Sequence, residues 1–209
     1  MRVVEFVGPA GVGKTTIANA IINPGRGVKG KPYHVGSLYG LLMAPQRTYR
    51  AVRFLWRAGR WRSFSKTGLN WLIVAGALFQ AKQQIGPESG VMIFDQLVVQ
   101  ALRRLAREFG TTATRLAAEY RADIEVADLI ICVMSPGDVV KARRMDRGGA
   151  VGRGFCQSGN WCSQLDTRRA VRLLAGDKQA VCVIVDGRKD VKVNRKLIAD
   201  FIFENNSAN

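Results

Sequence analysis

Short apolar runs alternate with longer segments of mixed polarity along this chain of 209 residues. The apolar runs predict buried β-strands at residues 2–7, 91–94, 129–134 and 181–185. The mixed segments predict α-helices at residues 14–22, 47–62, 67–84, 97–109, 112–126, 137–147, 165–177 and 190–204. Because continuous apolar strands that alternate with helices are typical of a parallel sheet covered on both faces, we expect a three-layer α/β fold.

Glycine and proline mark two segments that the pattern leaves without regular structure. Residues 24–46 are rich in both and are predicted to be mostly loop, and residues 148–164 are predicted to be a glycine-rich loop. We expect residues 1–209 to form a single domain, since a chain of this length and apolar content buries one substantial core.

Positive charge is concentrated in the first part of the chain. There are 32 Lys and Arg against 16 Asp and Glu, which gives a net charge of +16. Residues 1–87 hold 13 of the basic side chains and one acidic side chain, Glu5. Such a field favours an anionic partner, for example phosphate groups, nucleic acid or an anionic membrane surface. We therefore expect residues 24–87 to form a basic, mainly helical segment that binds an acceptor or docks to a partner.

The composition excludes several other classes of protein. A single His excludes His-rich metal sites, and four cysteines without close pairing argue against a disulfide scaffold. No secretory leader pattern is visible, and the longest apolar run, within residues 69–79, is too short to span a bilayer. We expect a cytoplasmic protein, peripheral at the membrane if its basic segment docks there, and the apolar run could pair in a homodimer. The sequence assigns no role to Cys156 and Cys162.

The first predicted strand leads directly into a phosphate-binding motif. Residues 8–15, Gly-Pro-Ala-Gly-Val-Gly-Lys-Thr, satisfy G-x-x-x-x-G-K-[ST] between a strand and a helix. Glycines let the backbone wrap closely around phosphate oxygens, and the helix N-terminus adds partial positive charge. Lys14 would bridge the terminal phosphates, and the Thr15 hydroxyl would hold Mg²⁺. The residues expected to bind ATP are Gly8, Pro9, Ala10, Gly11, Val12, Gly13, Lys14, Thr15 and Thr16.

A carboxylate follows the second predicted strand. Asp95 ends the run Val-Met-Ile-Phe, and ligands of open parallel sheets bind beyond the carboxyl ends of the strands. A carboxylate there can hold Mg²⁺ or accept a proton from an attacking hydroxyl group. Asp95 could also cap the helix that starts near Leu97, and the two roles are compatible.

A basic cluster follows the third predicted strand and runs into the glycine-rich loop. Its members are Lys141, Arg143, Arg144, Arg147 and Arg153. Phosphoryl transfer spreads negative charge over the transferred group, and mobile arginines stabilise that charge. The glycines would let residues 141–164 close over the site as a lid. The alternative is a solvated helix end, where cations are also favourable.

These features together resemble the thymidylate kinase-like group of P-loop nucleoside and nucleotide kinases. The phosphate-binding loop, the mid-chain Asp, the basic run at residues 143–147 and the late strand before Gly187 follow the order of that group. The resemblance implies a five-stranded parallel sheet, ATP as the donor, Mg²⁺ and an Arg-bearing lid. It also implies that Asp95 lies near the acceptor, and that Gly187 and Arg188 lie beside the adenine. Gln96 stands where thymidylate kinases carry Arg, so the acceptor is left open.

Five arginines recur every three or four residues and fill one face of the second predicted helix. They are Arg47, Arg50, Arg53, Arg57 and Arg60. The apolar side chains predicted to lie largely opposite them are Ala51, Val52, Leu55 and Trp56. The surface from Arg47 to Arg62 could line the pocket of an anionic acceptor, rest on an anionic membrane or bind nucleic acid phosphates. An ordinary packed helix with a solvated basic face is the remaining interpretation.

We therefore predict an ATP-dependent phosphotransferase, a small-molecule kinase that moves the γ-phosphoryl group to an anionic acceptor. The predicted catalytic residues are Lys14, Asp95, Arg143 and Arg147. Arg144 is predicted to contact the donor, and Thr15 and Asp95 are predicted to hold the metal. The main alternative is an NTP-binding or hydrolysing module that acts on nucleic acid, an anionic membrane or a protein partner. A kinase-like protein that binds nucleotide without turnover is a further alternative.

Overall fold

The structure is a computed structural model, and it describes residues 2–9, 11–22, 28–31, 38–59, 65–84, 90–95, 97–145, 157–176 and 180–203. Within these ranges the strands are β1 (Arg2–Val7), β2 (Val28–Lys31), β3 (Val91–Phe94), β4 (Leu129–Met134) and β5 (Val181–Asp186). All neighbouring strands are parallel, in the order β2-β3-β1-β4-β5. The predicted α/β fold with a five-stranded parallel sheet is confirmed.

Helices cover both faces of this sheet. They are α1 (Lys14–Ile21), α2 (Leu38–Met43), α3 (Pro45–Gly59), α4 (Lys66–Gln84), α5 (Val98–Glu108), α6 (Ala113–Tyr120), α7 (Gly137–Met145), α8 (Gln157–Gly176) and α9 (Val191–Phe203). Val4 and Phe6 of β1 belong to the core layer that α1 and α9 cover, whereas Val3 and Val7 belong to the larger layer under α4, α5 and α8. In the described ranges, no helix combines the length and apolar character that crossing a bilayer requires.

The three central strands bring their carboxyl ends to one edge of the sheet. Val4 of β1 is level with Ile93 of β3 and with Leu129 of β4. The phosphate-binding motif that follows β1 therefore lies next to Asp95, which follows β3, and Ser135, which follows β4. This is the edge where parallel sheets bind their ligands.

Residues 24–46 are not the continuous loop that their glycines and prolines predict. Residues 28–31 form β2 and pair with β3, and residues 38–43 form α2 and pack on α4. Each element contains a glycine, Gly30 or Gly40, which weakens its local pattern. Both form through contacts with neighbouring elements, and no local pattern records such contacts.

The helix predicted at residues 112–126 ends earlier, at Tyr120. The chain then turns, and Asp123 and Ile124 are both buried. The amphipathic sequence pattern continues past Tyr120, because the residues after the helix still alternate between buried and partly exposed positions. This pattern is the reason why the sequence predicts a longer helix. Burial of Asp123 against basic side chains of α3 fixes the chain in this turn.

The loop predicted at residues 148–164 is shorter, because its last part belongs to α8. Residues 157–164 are helical, and α8 packs against α6. The Gln164 side chain bonds to both backbone groups of Ser135, at 3.3 Å and 3.0 Å, which ties this end of the helix to β4. Glycine content predicted a loop here, and tertiary contacts override that local signal.

The buried face of α3 matches the predicted one in part, because Ala51 and Leu55 are buried as predicted. Val52 and Trp56, predicted to lie on the apolar face, are 46% and 56% exposed. Phe54 is fully buried, with its ring centroid 4.7 Å from that of Trp71 and 5.5 Å from that of Tyr120. Because an aromatic ring buries a large apolar area, α3 turns Phe54 toward the core.

The packing of α2 on α4 can be tested at Gly40. A Cβ on Gly40 would lie 2.0 Å from the carbonyl oxygen of Gly76, a backbone atom that cannot move aside without moving α4. We expect Gly40→Ala to lower the free energy of unfolding by about 2 kcal/mol, as overpacking does. Urea denaturation measures this change.

Gly176→Ala is the matched control. It also places alanine in a helix, but its Cβ would lie within 4 Å of no atom of the described residues beyond its chain neighbours and its own helix backbone. It should be neutral, or should stabilise the protein by up to ~1 kcal/mol. Equal unfolding free energies for the two variants would contradict the close approach of α2 and α4.

Candidate nucleotide-binding site

The phosphate-binding motif requires glycine at both ends. Gly8, directly after β1, has a φ of 152°, and a Cβ there would lie 2.4 Å from the carbonyl oxygen of Val133 in β4. Gly13 has a φ of 99° and immediately precedes α1. The loop therefore lies close against β4 and presents the N-terminus of α1 at the ligand-binding edge of the sheet.

The Lys14 side chain lies over this loop. Its ammonium group donates a hydrogen bond of 3.0 Å to the carbonyl oxygen of Pro9, and the residue is only 6% exposed. Burial lowers the pKa of Lys14, the Asp95 carboxylate opposes that shift, and the positive charge of Arg103 adds to it. A cation held in this way is stabilised by any polyanion that enters the loop.

Thr15 and Asp95, the predicted metal-binding pair, are in direct contact. The Thr15 hydroxyl donates to Oδ2 of Asp95 at 2.5 Å. Asp95 is buried, and its second oxygen, Oδ1, has no hydrogen-bond partner among the described residues. An unsatisfied carboxylate oxygen beside a hydroxyl group fits a hard divalent cation such as Mg²⁺. The described residues contain no group of three or more His, Cys, Asp or Glu that could hold a metal, so phosphate or water oxygens would complete the ligand set.

Glu5 is a candidate that sequence reasoning missed. It is fully buried in β1, and the Oε1 atom of its carboxyl group accepts hydrogen bonds from the backbone N–H groups of Leu97, Val99 and Gln100 at the start of α5. Glu5, rather than Asp95, therefore caps this helix. Burial raises the pKa of Glu5 to about 8, although the hydrogen bonds from the helix oppose the shift. Its isolation as an acidic residue inside an apolar strand was the signal that could have revealed it.

Arg143 of α7 joins the phosphate-binding loop to the turn after β5. Its guanidinium group donates to the carbonyl oxygens of Gly187 at 2.9 Å and of Val12 at 3.4 Å. Beside this junction lies a cavity of about 260 Å³, here called the α1 cavity. It is lined by Gly13, Thr16, Ile17, Arg143, Gly187, Lys189 and Val191. The structure thus brings Arg143, a predicted catalytic residue, and Gly187, a predicted donor-binding residue, to the phosphate-binding loop.

Arg188, predicted to lie beside the adenine, is not among the residues that line the α1 cavity. Its guanidinium group pairs with Asp186 at 2.7 Å, and this contact lowers the pKa of the Asp186 carboxyl group. Lys189 lines the cavity in its place. Other predicted residues lie, wholly or in their side chains, outside the described part of the chain: Ala10, Arg60, Arg62, Gln96, Arg144, Arg147, Arg153, Cys156 and Cys162.

The α3 arginines are largely paired with acidic residues of the protein. Arg47 pairs with Glu125 at 3.5 Å, and Arg53 and Arg57 both pair with the buried Asp123. These carboxylates stand in the segment before β4, at the edge of the sheet opposite the phosphate-binding loop. The three arginines therefore do not line the candidate site. Of the alternatives given for this face, the lining of an acceptor pocket is the one that this placement does not support.

No protein-family model matches this sequence, and a search of curated proteins found no similar one. Solved structures are similar in fold. A deoxyadenosine kinase from M. mycoides with the products dCMP and a flexible dCDP bound has a TM-score of 0.55 at 16% identity, over 95% of this chain and 97% of that chain. The same kinase with bound dATP has a TM-score of 0.53 at 15% identity, over 95% and 98%. The chain has the fold of these kinases. The narrower likeness to thymidylate kinases stays a prediction.

Glu5 leads to a prediction about stability and pH. In the unfolded chain its carboxyl group ionises near pH 4.5, whereas in the folded protein its pKa is about 8. Between these values the folded state keeps a proton that the unfolded state has lost, so stability falls as the pH rises through this window. The shift corresponds to a loss on the order of 5 kcal/mol.

Glu5→Gln should remove this loss. Relative to the wild type, the variant's unfolding free energy from urea denaturation should therefore increase as the pH rises through the window. Glu119→Gln, on the exposed face of α6, is the control and should show no such trend. A Glu5→Gln difference that stays constant across the window would contradict the buried, protonated carboxyl group.

Proposed function

We propose that the chain is an ATP-dependent phosphotransferase, a small-molecule kinase that moves the γ-phosphoryl group of ATP to an anionic acceptor. The observation that carries the proposal is the hydrogen bond between Thr15 and Asp95 beside the phosphate-binding loop. It joins the first turn of the phosphate-binding helix to a strand-end carboxylate that keeps one oxygen unsatisfied. Phosphoryl transfer needs such a positioned set of charges and little covalent chemistry from the protein.

The donor is proposed to lie along the phosphate-binding loop with its base in the α1 cavity. Backbone N–H groups of the loop and the N-terminus of α1 attract phosphate oxygens. Arg143 and Lys189 place two positive charges at the cavity. The similar fold of a kinase solved with dATP is consistent with a nucleotide at this edge of the sheet.

Thr15 and Asp95 are the residues that would hold Mg²⁺. When bound, Mg²⁺ neutralises negative charge on the donor phosphates. The protein's own charges act beside it. Lys14, whose ammonium group lies on the Pro9 carbonyl, would donate instead to terminal phosphate oxygens. Arg143, with Arg144 and Arg147 in the proposed lid of residues 141–164, would stabilise the charge of the transferred group.

The acceptor is proposed to approach Asp95 from the side of α5. Asp95 would position the acceptor hydroxyl or phosphate, or take up the proton of a hydroxyl group. Arg103 of α5 is close enough for its charge to lower the pKa of Lys14. Two cations close enough to affect one another favour an acceptor that is itself anionic. The kinase of similar fold was solved with dCMP and dCDP, so phosphorylated nucleosides head the acceptor classes to test.

A second candidate function is an NTP-hydrolysing module that docks on an anionic membrane through α3. Tyr49, Val52 and Trp56 recur at helical spacing and are 64%, 46% and 56% exposed. Aromatic side chains interleaved with arginine suit the interface of anionic lipid bilayers. Hydrolysis that anionic vesicles stimulate and salt abolishes, with no acceptor phosphorylated, would favour this candidate.

The kinase proposal is tested by a panel of acceptors in the presence of ATP and Mg²⁺. The panel contains nucleosides, nucleotides, sugars and lipid-linked sugars, and ³¹P NMR identifies the phosphorylated product. At least one acceptor should raise the rate of ATP consumption above the rate measured when water is the only acceptor. Lys14→Met should lower that rate by about 10²-fold or more, because it removes a charge that stabilises the transferring group.

Lys196→Met, on the exposed face of α9, is the matched control and should leave the rate unchanged. If no acceptor is phosphorylated and Lys14→Met leaves the basal ATP consumption unchanged, the chain is not a kinase.

A further inference from the structure

A second cavity opens at the carboxyl end of β5, outside the proposed donor site. Its volume is about 570 Å³, and among the described residues it shares only Lys189 with the α1 cavity. It is here called the β5 pocket, and its principal lining residues are Ser135, Arg168, Ile184, Arg188, Val193 and Leu197. None of these six residues is a proposed catalytic residue. Only Arg188 is expected from the sequence to contact the donor.

Two buried polar groups of this pocket lack partners. The Ser135 hydroxyl oxygen and Nε of Arg168 are both buried, and neither has a hydrogen-bond partner among the described residues. Ser135 is 2% exposed, and its backbone is fixed by both ends of the Gln164 amide. A buried polar group without a partner destabilises the protein, so a ligand that pairs with these groups is bound more tightly.

The charges around the pocket favour a ligand with a negative charge. Of the described residues that line it, Arg168, Arg188 and Lys189 are basic and only Asp186 is acidic, and Asp186 is already paired with Arg188. The N–H of Arg168 is a hydrogen-bond donor that requires an acceptor, and the Ser135 hydroxyl is a second donor among the residues that line the pocket. An anionic group such as a carboxylate meets both requirements at once.

The remaining wall of the pocket is apolar and partly open to solvent. Ile184 at the edge strand is 37% exposed, and Val193 and Leu197 on α9 are 53% and 41% exposed. Three large apolar side chains around one cavity provide surface for an apolar ligand body.

We infer that the β5 pocket binds a small amphipathic organic anion, with its acidic group at Ser135 and Arg168 and its apolar body against Ile184, Val193 and Leu197. The inference does not depend on the proposed kinase activity. It rests on the unpartnered donors, the excess of positive charge and the apolar wall of one cavity.

The test uses 8-anilinonaphthalene-1-sulfonate, a fluorescent apolar anion, and octanoate as its competitor. We expect saturable binding of the dye to the full chain and displacement by octanoate but not by ATP. Leu197→Asp should weaken dye binding by about tenfold or more, because it places a negative charge beside the anion. Ser135→Ala should weaken it severalfold, and circular dichroism confirms that each variant is folded.

Val52→Asp is the matched control, since it places the same charge on an exposed apolar residue of α3. It should leave dye binding unchanged. Two results would place the dye elsewhere and overturn the inference. The first is loss of dye binding in Val52→Asp. The second is dye that ATP displaces and that Leu197→Asp and Ser135→Ala still bind as the wild type does. Ser135→Ala alone decides the question if Leu197→Asp fails to fold.

Discussion

The candidate site depends on one buried carboxyl group that reaches from the central strand to a neighbouring turn. Glu5 of β1 accepts the first backbone N–H groups of α5 and so fixes the point at which the chain leaves β3. Asp95 stands in that turn, which brings its carboxylate to the hydroxyl of Thr15. Because Glu5 and Asp95 are both buried, neither can move without leaving a polar partner unsatisfied. The geometry of the site therefore depends on the pairing of β1 with β3, because Thr15 follows β1 and Asp95 follows β3.

Buried positive charge distinguishes this site from the basic face of α3, whose arginines are partly exposed. Burial is the main cause that lowers the pKa values of Lys14 and Arg103. Neighbouring positive charge lowers both further, and the carboxylates of Asp95 and Asp166 oppose the respective shifts. Such a pair is best stabilised when a polyanion enters. At the opposite edge of the sheet, Arg53 and Arg57 already have a carboxylate partner in Asp123. The large net charge of the chain thus does not by itself identify where an anionic ligand binds.

The sequence predicts those parts of the fold and site that have a local pattern. Four apolar strands and the phosphate-binding motif are visible from periodicity and spacing alone, and Asp95 is visible because it ends a buried strand. β2 could not be predicted from its own residues, because Gly30 and its flanking lysines do not form a strand pattern. Its pairing with β3 holds these residues in a strand. The cap formed by Glu5 joins it to Leu97, which lies 92 positions further along the chain, and no local pattern records a contact at that separation. The partners of the α3 arginines are equally remote, so the helical wheel of α3 identifies a basic face without its acidic counterpart.

The most direct test of the proposed catalytic centre is the Mg²⁺ dependence of nucleotide affinity. Calorimetric titration with a non-hydrolysable ATP analogue should be carried out with and without Mg²⁺ for the wild type, Asp95→Asn and the control Asp200→Asn on α9. Asn preserves the shape of Asp95 but removes the charge that would hold the metal. We expect Mg²⁺ to strengthen binding in the wild type and in Asp200→Asn. In Asp95→Asn most of that gain should be lost, while the affinity without Mg²⁺ is retained. A full Mg²⁺ effect in Asp95→Asn would contradict a metal site at Thr15 and Asp95.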